Sequence, residues 1–138
     1  MGYSHYWFQE HGAIEEPVWR RICNDVEKLI DACQVRLSAT VNGSAPPIVD
    51  AEQIVFNGSP ESEGYEAFAM HRVPKNHFYF CKTAGRPYDE VVCAVLAVAA
   101  EYAPSAVRVI SDGPAENWQA PVGWASDVLG RSVPNPIL

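Results

Sequence analysis

Between Leu37 and His71 the sequence has no lysine and no arginine, while five acids (Asp50, Glu52, Glu61, Glu63, Glu66) fall in the same stretch. Bases are scarce overall: 10 Lys and Arg against 17 Asp and Glu leave a formal net charge of −7. A chain that neutralises phosphates along a nucleic acid needs the opposite balance, so general nucleic-acid binding is excluded as an expectation. Long apolar runs are missing as well. The longest, Val91 to Ala100, is far short of the ~20 residues a helix needs to cross a bilayer. No basic, then apolar, leader precedes the aromatic start MGYSHYWF, so a cytosolic setting with reduced thiols is expected. In that setting the Asn-x-Ser sequons at Asn42 and Asn57 carry no sugar.

Paired cysteine motifs are absent too. Cys23, Cys33, Cys81 and Cys93 include no C-x-x-C, and His5, His11, His71 and His77 do not fall at zinc-site spacings, so no metal and no cofactor are expected. The phosphate-loop pattern G-x-x-x-x-G-K-[ST] is also missing.

What is present reads as a single α+β domain over residues 1–138. With 48% hydrophobic and 20% charged residues, a chain of this length can bury a core without staples. Residues 2–9 are rich in strand-forming aromatics on both faces. Residues 15–35 place Val18, Ile22, Val26, Leu29, Ile30 and Cys33 at helical spacing behind Glu15, Glu16 and Pro17. Residues 38–51, with Gly43, Pro46 and Pro47, read as a surface loop. Strands at 53–56, 65–73 and 77–82, with turns at Asn57-Gly58 and Pro74–Asn76, read as an antiparallel meander. Residues 87–103 form a second helix, apolar on all sides and so buried or paired with another copy in a homodimer. A strand at 107–111 and a short helix at 120–129, stopped by Gly130, complete the order. The expected sheet is mostly antiparallel with four or five strands, arranged as a ferredoxin-like split β-α-β core under two main helices.

The stretch FYFCKTAGRPYDEVV, residues 78–92, carries the leading functional expectation. Arg72, Lys75, Lys82 and Arg86 form an acid-free basic block from 72 to 87 in an acidic chain. A helix start presents unpaired N–H groups to an anion. Lys82, Thr83 and Arg86 would add two charges and a hydroxyl, and Gly85 would let the backbone approach. Tyr88 and Trp118 would stack, the amides near Asp89 would share the anion, and His71 and Arg72 would line the rim. The expected partner is a small anionic, nucleotide-like or phosphorylated ligand. The alternative is an acidic interaction module or inhibitor, in which the stretch Asp50 to Glu66 meets a basic surface of a host protein and the loop 58–64 is the sensitive part. A third reading is a small enzyme using His71 or Cys81. His5 and His71, on predicted strands, also offer an acid/base pair with Asp89 or Asp112.

The segments MGYSHYW, FNG and FCKTAGRPYD resemble a family of small uncharacterised proteins encoded by bacteriophages and prophages. The resemblance implies a phage-related protein acting by binding in the host cytoplasm. It assigns no activity and no site residue.

Overall fold

The computed structural model describes residues 3–40, 43 and 45–137, so Asn42 lies outside the described residues. Among the described residues, seven strands and three α-helices follow in the order β1 (Ser4–Phe8), α1 (Glu16–Ala32), β2 (Leu37–Ser38), β3 (Ile48–Val49), β4 (Gln53–Gly58), β5 (Phe68–His71), β6 (Phe78–Lys82), α2 (Asp89–Tyr102), β7 (Arg108–Ser111) and α3 (Gln119–Leu129). The protein is α+β, as expected. The strands divide into two sheets. One has the order β6-β1-β7, and in the other β4 pairs with β2, β3 and β5.

Every pairing is antiparallel. That overturns the ferredoxin-like expectation, which needs two adjacent parallel central strands in one sheet. Here β1 is central, and both of its neighbours run against it. The expected loop 38–51 contributes two-residue strands, too short to show alternation in sequence. The expected turn at Asn57-Gly58 is the end of β4 instead. Asn57 is buried and its side chain substitutes for a pairing strand: Nδ2 donates to the Tyr65 carbonyl at 3.0 Å and Oδ1 accepts the Tyr65 N–H at 3.1 Å. Gly58 and Gly64 make this closure possible, since a Cβ on Gly64 would stand 1.9 Å from the Gly58 carbonyl oxygen.

One apolar cluster joins the inner faces of both sheets to all three helices. Residues Val91 to Ala99 of α2 are all buried within the single chain, against α1 and α3. α1 turns Trp19, Ile22, Val26 and Leu29 inward and buries Asp25 with them. Asp25 is matched by Arg131, whose guanidinium also bonds Tyr102 Oη at 3.1 Å and Glu101 Oε1 at 2.6 Å. This clasp ties the segment after α3 to α1 and α2.

Candidate functional site

Alternation along β6, β1 and β7 sorts the site residues into cross-strand rows. The register sets Cys81, His5 and Ser111 side by side on the inner face, with Tyr79, Trp7 and Val109 next to them. On the outer face, Phe80, Tyr6 and Ile110 form one row, and Phe78, Phe8 and Arg108 the next. Lys82 and Ser4 continue that face, beside Asp112.

The inner row meets the start of α2. His5 is fully buried; its Nε2 lies 2.6 Å from Asp89 Oδ1 and its Nδ1 2.8 Å from Ser111 Oγ. A carboxylate only accepts, so Nε2 carries a proton, and a neutral ring then takes the Ser111 hydroxyl at Nδ1. Thr83 Oγ1 donates to the same Asp89 oxygen, and the Gly113 N–H donates to Ser111 Oγ at 3.0 Å. Cys93, one turn along α2 from Asp89, places Sγ 3.4 Å from His5 Nε2 and 3.7 Å from Asp89 Oδ2. Burial pushes the Cys93 thiol well above the ordinary range, and the Asp89 carboxylate adds to it. Trp118 is fully buried edge-on to the His5 ring, with centroids 5.0 Å apart, and its Nε1 has no hydrogen-bond partner. Among the described residues, His5, Asp89 and Cys93 bring three potential metal-ligand atoms within 4.8 Å of one another.

The order hydroxyl, imidazole, carboxylate is also the order of a base-activated nucleophile. Ser111 Oγ, however, already accepts the Gly113 N–H, and His5 is sealed from solvent. That enclosure suits a satisfied buried network better than turnover.

The 82–89 junction differs from the anion cradle drawn from the sequence. Thr83 and Ala84 donate their N–H groups to the Tyr3 carbonyl, each at 3.1 Å, and Arg86 donates to Thr83 at 3.0 Å. Ala84 and Gly85 both take positive φ, 53° and 67°, to make the turn. The Asp89 N–H is used by the Arg86 carbonyl at 2.8 Å, and the Val91 N–H by that of Tyr88 at 3.0 Å. Tyr88 is fully buried, its hydroxyl bonded to the Glu66 carbonyl, so its ring offers no face to a ligand.

Lys82 and Arg86 do come together, around the exposed Tyr65 ring: Lys82 Nζ is 5.3 Å and Arg86 Cζ 5.8 Å from its centroid. Arg86 also lies 3.6 Å from Glu63. Thr83, Asp89 and Trp118 belong instead to the His5 centre. His71 and Arg72 sit at the far end of the strands, where Gln9 bonds the His71 carbonyl and Arg72 bonds the Ile14 carbonyl at 3.1 Å. The five-residue step from Ser4 to Gln9 separates that end from Lys82 by roughly 16 Å. Cys81 is buried, its thiol pushed up to about 12 by burial, which disfavours the thiolate form a nucleophile needs. Asp112 holds the Ser4 N–H and the Tyr6 hydroxyl, so of the offered acid/base pairs only His5 with Asp89 forms.

The outer face was not singled out from sequence. Phe80 is 57%, Phe78 44% and Ile110 43% exposed, with Tyr6 and Phe8 half-buried between them. Tyr6 stacks on Phe78 at 5.8 Å, Phe8 packs on Phe78 at 4.9 Å, and the Arg108 guanidinium lies 4.3 Å above Phe8. The even-numbered residues of GYSHYWFQ carried this signal. Of these, Tyr6 and Phe8 belong to a strand that is central in its sheet and open to solvent on one side.

No helix of the described residues is long and apolar enough to cross a membrane. No family model, curated protein or solved structure matches this chain, and only its own geometry speaks to what it does.

Proposed function

We propose that the protein is a protein-interaction module that docks a partner protein on the outer face of the β6-β1-β7 sheet. One observation carries this reading. Tyr6, Phe8, Phe78, Phe80 and Ile110 form a contiguous apolar surface that includes three of the chain's exposed large hydrophobics. Monomeric soluble proteins rarely leave such a patch without a use. Its chemistry is that of an interface core: aromatic, with an arginine and few other charges. The net charge of −7 favours a protein over a nucleic acid on this aromatic face. In the phage setting that the resemblance implies, the partner is a host protein.

Pull-down with the purified chain tests it. The double variant Phe78→Ser/Phe80→Ser loses a stoichiometric partner, while Glu61→Lys/Glu63→Lys/Glu66→Lys keeps it. The reverse pattern moves the interface to the acidic loop and ends this reading.

A second reading is favoured by the cations around Tyr65: a small anion held by Lys82 and Arg86, with Tyr65 rather than Tyr88 as the stacking ring. Two grooves of about 760 and 740 Å³ border β7, and Lys82 and Arg86 line neither. The reading therefore requires an open surface site. A thermal-shift screen of nucleotides and sugar phosphates tests it. A shift lost in Lys82→Ala/Arg86→Ala supports it, and no shift with any compound removes it.

A further inference from the structure

We infer that His5, Asp89 and Cys93 form a binding site for one divalent transition metal, with zinc the best chemical match. The inference is independent of the docking face, which lies on the other side of the sheet.

The first support is convergence. Nε2 of His5 and Sγ of Cys93 are 3.4 Å apart, and Sγ is 3.7 Å from Asp89 Oδ2. Around a tetrahedral zinc with bonds of roughly 2.0 to 2.3 Å, adjacent ligand atoms stand roughly 3.3 to 3.7 Å apart. Only the 2.6 Å contact between His5 and Asp89 Oδ1 must open, by rotation of the carboxylate. The ligands sit on two regular elements: Asp89 and Cys93 one turn apart on α2, and His5 on the central strand beneath. Such placement holds a metal geometry better than loops do.

The second support is the outer shell. A ligating histidine normally donates its other ring N–H, and its carboxylate partners are themselves hydrogen-bonded. Ser111 Oγ already stands 2.8 Å from Nδ1, and Thr83 Oγ1 already donates to Asp89. The third is ligand type. One imidazole, one carboxylate and one thiolate fit zinc, whereas magnesium and calcium take oxygen alone. Three protein ligands leave a fourth position, which water would reach from the Asp89 side, where the carboxylate is partly exposed.

Binding balances without redox change. Bonds form from the metal to Nε2, a carboxylate oxygen and Sγ. The imidazole proton moves from Nε2 to Nδ1, where Ser111 Oγ accepts it. The Cys93 thiol proton leaves to solvent, so one proton is released per metal bound.

The test is a Co²⁺ titration of the metal-stripped chain, read by the near-ultraviolet thiolate-to-cobalt band. The band should saturate at one cobalt per chain and disappear on addition of Zn²⁺. It should be lost in Cys93→Ser and kept in Cys81→Ser, the other buried thiol on this side of the sheet. Ser111→Ala and Thr83→Val, which remove the outer-shell partners of His5 and Asp89, should each weaken binding about 10- to 100-fold. Far-ultraviolet circular dichroism confirms that each variant is folded. A wild-type chain with no band at saturating cobalt overturns the inference. So does a band that survives in a folded Cys93→Ser.

Discussion

His5 is the residue on which the interior of the β6-β1-β7 sheet turns. Both ring nitrogens are bonded inside the core, so His5→Ala opens a cavity and leaves the Ser111 hydroxyl without its acceptor. A loss of about 3 kcal/mol in urea unfolding is expected. A change below about 0.5 kcal/mol, the scale of ordinary surface substitutions, would show that the network adds nothing to the fold. The thiols set a second expectation. Burial pushes Cys81 from 9.0 to about 12 and Cys23 to about 11. A raised folded pKa means that only the unfolded chain loses these protons just above pH 9. The stabilisation is therefore complete below that pH and falls as pH rises towards 11 and 12. Each thiol should remove about 1.4 kcal/mol per pH unit within its window. Urea midpoints at pH 8 and pH 10 check this, and Cys81→Ala should flatten the decline. At this scale the sequence was half legible. It offered His5 with Asp89 as a pair, because both are titratable and one sits on a strand. It could not show Ser111, Thr83 and Cys93 closing around them, because that depends on β1 lying under the start of α2. It grouped Trp118 with a ligand pocket because tryptophan stacks, while the fold uses it to cover the histidine.

Helices and strands with a strong period were readable. α1 follows from its apolar spacing, and α2 from its apolar run opened by Pro87 and Asp89. That run offered two outcomes, burial or pairing with another copy, and burial by α1 and α3 is the one found. Small residues of α2 let its neighbours approach, so Ala97→Leu should overpack the contact and cost about 1–3 kcal/mol by urea unfolding. β2 and β3 were not readable, since two residues carry no period. The junction before α2 was legible as a turn but not as to its purpose. Its Thr83 and Ala84 amides are spent on the Tyr3 carbonyl, and those of Arg86 and Asp89 on the turn itself. Gly85, at φ 67° with open space around a would-be Cβ, is there for its backbone conformation. Gly85→Ala should cost about 1–2 kcal/mol from left-handed strain alone, measured by the same unfolding curves.

The whole molecule shows what the aromatics on both faces of β1 are for. Apolar residues on both faces of a strand usually mean burial on both sides. Here one face packs under α2 and Trp118, while the other stays bare. The basic block likewise disperses over the molecule: Arg72 turns to Ile14, Lys82 and Arg86 to Tyr65, so it makes no single pocket. The cross-strand row Phe80, Tyr6 and Ile110, with Phe78 and Phe8 beside it, presents an aromatic rather than a charged surface. Because Phe78 and Phe80 are largely exposed and lose only cross-strand aromatic contacts, Phe78→Ser/Phe80→Ser should cost no more than about 1 kcal/mol for each change while abolishing partner binding. The most direct measurement places a photo-crosslinking phenylalanine analogue at position 80 and, separately, at position 73, where Val73 is also well exposed but belongs to no strand of the β6-β1-β7 sheet. After irradiation in cells of the protein's source, a discrete protein adduct should form from position 80 and not from position 73. Equal adducts from both positions, or none from position 80, would contradict the docking face.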